Sequence, residues 1–95
     1  MEFFKLYGLT DIEIDKLYLN YSKSLINSII YKKENVLLIL DYLKEKEFDL
    51  KTIILNRLDL FLVNFNHLKE KIMKYDEERI INWLKDDISL IDSLN

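Results

Sequence analysis

A chain of 95 residues with one glycine and no proline has very little with which to build tight turns between strands. Two-residue β-hairpins rely on Gly or Asn-Gly at positive φ, and no Asn-Gly pair occurs here. Helices need neither, because Asn, Asp, Ser and Thr can start them as caps. Those residues, with Leu, Ile, Lys and Glu, make up most of the sequence. The fold expected is all-α: about six or seven short helices stacked as irregular helical repeats, a compact solenoid-like bundle.

The most apolar stretch, Asn35 to Phe48, is expected to be the central helix. Val36, Ile39, Leu40 and Leu43 share one helical face, while Leu38 and Tyr42 point the other way. A helix that is apolar on two sides needs partners on two sides. The segments before and after it should therefore both dock onto it.

Start signals recur around that helix. Glu2 to Tyr7 reads as a helical turn stopped by Gly8 in the left-handed conformation. Thr10 caps the next helix with Glu13 completing a capping box, and Leu9 with Ile14 forms a hydrophobic staple. Ser22 or Ser24 starts another. Asp49 caps between Phe48 and Ile53, and Asp76 caps between Tyr75 and Ile80, each with the staple spacing of Leu9 and Ile14. Downstream of the three come Leu25-Ile26, Leu62-Val63 and Leu90-Ile91. This is an internal helical repeat with units starting near residues 9, 48 and 75, within a single domain 1–95. The interval falls from 39 residues (Leu9 to Phe48) to 27 (Phe48 to Tyr75).

The order of these signals resembles the mitochondrial transcription termination factor family. Gly8-Leu9-Thr10 to Ile14 resembles the opening of that family's unit, Leu25-Ile26 and Leu62-Val63 its Leu-Leu pair, and Glu34 to Lys46 its long helix. The proline that precedes the pair in the family is absent, with Ser22 or Asp59 to Phe61 in its place. The resemblance implies stacked helical triplets that bind nucleic acid through a basic concave face.

Charge sets bounds on such a role. The net charge is −3. Up to Tyr75 twelve Lys/Arg nearly balance eleven Asp/Glu, and the acidity lies in Asp76, Glu77, Glu78, Asp86, Asp87 and Asp92. The phosphate-contacting candidates are Lys51, Arg57, His67, Lys69, Lys71 and Lys74, with Tyr31, Lys32 and Lys33 as a smaller group. Among the abundant aromatics most should be core, whereas Phe3, Phe4 and Trp83 are candidates for a protein interface. Ile88, Leu90, Ile91 and Leu94 have little chain beyond them, so this segment either caps the repeats or supplies a partner or dimer surface.

Catalytic and metal signatures are missing. There is no cysteine, so no disulfide or thiolate site, and the lone His67 has no histidine one turn away to share a metal. The acids at Asp76 to Glu78 fit a helix N-terminus, where the dipole stabilises them. No glycine-rich phosphate loop is present. The expectation is a non-enzyme without cofactor, metal or small-molecule substrate. No apolar run approaches the roughly 18 residues of a membrane span, and no signal-peptide pattern opens the chain, so a soluble cytoplasmic protein is expected. Two functions are open: a regulatory protein acting on nucleic acid or the transcription machinery, or a helical adaptor or inhibitor of phage or mobile-element type. The adaptor would bind a protein partner through apolar and acidic surfaces.

Overall fold

The computed structural model describes residues 1–93, and among them every regular element is helical. The chain divides into two compact units, Met1–Leu62 and Val63–Asn95. The boundary falls between the repeat starts expected near 48 and 75. The reason lies in packing: the 3₁₀ segment Leu58–Leu62 lies mainly against helices that precede it, whereas the helix that follows pairs with its own successor.

In the first unit a 3₁₀ helix, Glu2–Tyr7, precedes α1 (Asp11–Asn20), α2 (Lys23–Tyr31), α3 (Lys33–Glu45) and α4 (Leu50–Asn56), and a second 3₁₀ helix, Leu58–Leu62, closes it. The second unit holds α5 (Phe65–Met73), α6 (Glu77–Asp86) and the 3₁₀ helix Ile88–Ser93. The order of two α-helices around a shorter one thus occurs as α1–α2–α3 and again as α4, Leu58–Leu62 and α5. It starts a third time with α6. Equivalent elements stack on each other: α1 packs on α4, and α2 on Leu58–Leu62.

The caps form where the sequence places them. The Glu13 N–H donates to Thr10 Oγ1 (3.3 Å) while the Thr10 N–H donates to Glu13 Oε1 (3.0 Å), a closed capping box. Ser22, not Ser24, caps α2, receiving the Leu25 N–H at 3.1 Å. Asp49 accepts the Thr52 N–H and Asp76 accepts the Arg79 N–H. The first two staples are sealed, since Leu9, Ile14, Phe48 and Ile53 are all buried. The third is not: Tyr75 is 50% exposed and Ile80 only half-buried.

Two helix ends share one device. At Gly8 (φ 98°) the Leu9 N–H donates to the Phe4 carbonyl and the Gly8 N–H to that of Lys5. At Glu47 (φ 63°) the Phe48 N–H donates to the Leu43 carbonyl and the Glu47 N–H to that of Lys44. Both are Schellman stops, each with a buried apolar pair, Phe4–Leu9 and Leu43–Phe48. Each pair's second member is also the staple residue of the next helix. One side chain therefore ends one helix and orients the next.

The core of the first unit is centred on α3, whose Val36, Ile39 and Leu40 are inaccessible to solvent and Leu43 nearly so. The helix is not two-sided as expected. Tyr42 is buried at the flank of the same face, but Leu38 is 51% exposed. Tyr21, at the C-terminal end of α1, ties the repeats together: its hydroxyl donates to the Leu55 carbonyl (3.0 Å) and accepts the Leu58 N–H (3.4 Å). In the second unit Leu68, Ile72, Ile81, Leu84 and Ile91 are buried. No polar or charged residue is buried among the described residues.

Candidate functional site

The candidate phosphate-contacting residues are divided between the units. In the first, Lys51 extends from α4 to Glu13 Oε1 at 3.3 Å. Arg57 grips Asp59 with both arms of its fork, Nε to Oδ1 and a terminal nitrogen to Oδ2, each at 3.2 Å. Charge-assisted bidentate pairing of this kind fixes a guanidinium in place, so Arg57 and Lys51 are engaged by carboxylates of their own unit. Their partners Glu13 and Asp59 were visible in the sequence, but only the fold brings Lys51 to Glu13.

In the second unit α5 splits the rest. His67, Lys71 and Lys74 fall on one face and line a shallow groove of about 320 Å³ with Val63 and Glu70. Lys69 lies on another face, with its ammonium 5.9 Å above the Phe65 ring. Lys74 also approaches an aromatic ring, that of Tyr75, at 5.9 Å. Glu70 adds a carboxylate to this groove, which weakens its pull on phosphate.

The smaller basic group develops further. On α2, Lys23, Ser24, Asn27, Ser28, Tyr31 and Lys32 line an open groove of about 630 Å³. Tyr31 is 89% exposed. No carboxylate lines this groove, and neither Lys23 nor Lys32 is in an ion pair among the described residues. Lys33, grouped with Lys32 in the sequence, turns away and lies 5.5 Å above the Phe3 ring. The remaining residues of this face carried a legible signal: α2 reads Lys-Ser-Leu-Ile-Asn-Ser-Ile-Ile-Tyr, a helix with no acid in it.

The protein-interface candidates also separate. Phe4 is fully buried, edge-on to Phe61 with ring centroids 6.4 Å apart, and so belongs to the core. Its neighbour Phe3 is half-buried under Lys33. Ile91 is buried and Ile88 half-buried, so the C-terminal 3₁₀ helix turns its apolar side inward. Leu94 lies outside the described residues. Trp83 is 40% exposed and, with Arg79 and Ile80, borders an open cleft on α6 of about 410 Å³.

In the first unit Lys5, Tyr7 and Glu13 are displaced from their ordinary pKa values. Asp11 and then Glu2 hold the Lys5 ammonium above the usual lysine range. Burial, reinforced by donation to Asp41 Oδ1 at 2.6 Å, pushes the Tyr7 phenol up to about 12. The Thr10 N–H, with Lys51 contributing less, holds the Glu13 carboxyl below the usual range. All three are cap or inter-helix contacts. Among the described residues no three acid or histidine side chains converge as metal ligands, and no helix is long and apolar enough to cross a membrane. No family model, curated protein or solved structure matches the chain.

Proposed function

We propose that this is a small non-enzymatic regulatory protein that contacts single-stranded nucleic acid through the exposed face of α2. The supporting observation is the composition of the α2 groove: two lysines, two serines, an asparagine and an exposed tyrosine, without a carboxylate. Lysines neutralise phosphates, hydroxyl and amide groups donate to phosphate and sugar oxygens, and an exposed aromatic ring stacks on any base. The family resemblance, with its stacked triplets and nucleic-acid role, agrees with this reading. The net charge of −3 makes the molecule as a whole repel phosphate. Binding is therefore weak and confined to this face.

Fluorescence anisotropy with mixed-sequence DNA and RNA oligonucleotides at low salt tests the proposal. If Lys23 and Lys32 each neutralise one phosphate, the logarithm of the binding constant falls with the logarithm of salt at a slope of about −1.4. Tyr31→Ala should cost about 1–3 kcal/mol of binding, the usual worth of one stacked base. Lys23→Glu with Lys32→Glu should abolish it. These residues are exposed, so the thermal melt should not move. No binding at low salt, or binding indifferent to these changes, overturns the reading.

The adaptor reading is favoured by one observation, the half-exposed Trp83 in its cleft on α6. Tryptophan is enriched among residues that dominate protein interfaces. A partner that binds there should quench or shift Trp83 fluorescence, which is a clean signal because the chain has one tryptophan.

A further inference from the structure

Helix α1 is apolar on both sides, and only one side is covered. Ile14, Leu17 and Tyr21 face inward, toward α4 and the N-terminal 3₁₀ helix. On the opposite face Ile12 is 69% and Leu19 83% exposed. They lie seven residues apart, on the same face, with Asp15 and Lys16 between them. Neither of these charged residues has an ion-pair partner among the described residues. Two large, nearly bare aliphatic side chains on one face leave α1 an apolar strip outside the core.

The geometry points to a second copy of this chain as the occupant, docked as a parallel two-fold pair along α1. In a parallel pair Ile12 meets the partner's Ile12 and Leu19 meets the partner's Leu19, two layers seven residues apart on the midline of the contact. Asp15 and Lys16 flank that seam on opposite sides. The two-fold axis then sets Asp15 of each copy against the partner's Lys16, twice over, so the ridge is its own electrostatic complement. An antiparallel pair would instead set Asp15 against Asp15 and Lys16 against Lys16. Only about one heptad takes part, far less than the roughly 800 Å² per partner of a stable interface, so the pair is weak and reversible. This surface is distinct from the α2 groove, and the pairing stands or falls independently of nucleic-acid binding.

Sedimentation equilibrium on the full chain, from tens of micromolar to millimolar, reads the pairing directly. The wild type should show a reversible monomer–dimer equilibrium. Leu19→Asp should lower the association constant by about tenfold or more, the worth of burying one leucine, with an unchanged melt because the residue is exposed. Lys16→Asp alone should weaken pairing by setting acids against each other, and adding Asp15→Lys to it should restore it. Equal strength in Lys16→Asp and the wild type would overturn the parallel register. A monomer at every concentration would overturn the proposal itself.

Discussion

Glu47 sits at φ 63°, the one non-glycine residue with positive φ among those described, at the position where Gly8 closes the first Schellman stop. A side chain there brings Cβ close to the following carbonyl, at a cost of roughly 1–2 kcal/mol. Two backbone hydrogen bonds and the buried Leu43–Phe48 pair hold it in place. Glu47→Gly should therefore raise stability by about 1 kcal/mol, less than the full strain because glycine loses more entropy on folding. A urea titration should show a higher midpoint at unchanged slope, whereas Glu47→Ala, which keeps the Cβ, should show no gain. The contrast with Gly8 marks what the sequence could say at this scale. Glycine at a helix end announces the left-handed stop, and Gly8 is legible as one. Glutamate carries no such signal, so the equivalent turn becomes visible only in its backbone angles. The same limit applies to Phe4, whose place near the N-terminus suggested an interface while its position in a Schellman pair commits it to the core.

At the scale of elements, the helical caps were legible because capping is local: Thr10, Asp49 and Asp76 each act within one turn of themselves. Which faces become covered is not local. The sequence made α3 two-sided on the strength of Leu38 and Tyr42, but Tyr42 flanks the buried stripe and Leu38 is left in solvent. It is α1 that has a second apolar face, with Ile14 and Leu17 buried and Ile12 and Leu19 left in solvent. The α3 assignment can be checked by truncating adjacent positions. Leu40→Ala should cost about 2–5 kcal/mol, since it empties volume in a fully buried site. Leu38→Ala should change stability by less than about 0.5 kcal/mol, as exposed substitutions do. Comparable losses at both positions, measured by chemical denaturation, would mean that α3 is covered on two sides after all.

For the whole molecule, the repeat is strongest where its local devices and its packing agree. The first two units have a Schellman stop, a sealed staple and a cap in the same order, 39 residues apart from Leu9 to Phe48. The third unit keeps the cap at Asp76 but is preceded by Lys74 in an ordinary right-handed conformation, and its staple pair is open to water. The sequence displayed three equivalent starts because it records which residues are present and not how much each one buries. Burial predicts unequal consequences for an identical change. Ile14→Ala and Ile53→Ala remove matching, nearly inaccessible side chains from the core of Met1–Leu62, and each should cost about 2–4 kcal/mol. Ile80→Ala acts on a half-buried residue whose staple partner Tyr75 is 50% exposed, and should cost about 1 kcal/mol or less. Denaturation midpoints of the three variants decide the matter. If Ile80→Ala proves as damaging as the other two, the third staple is closed in solution and the three units are equivalent, as the sequence alone suggests. If only the first two are damaging, the first two starts share a closed staple and the third shares only the cap.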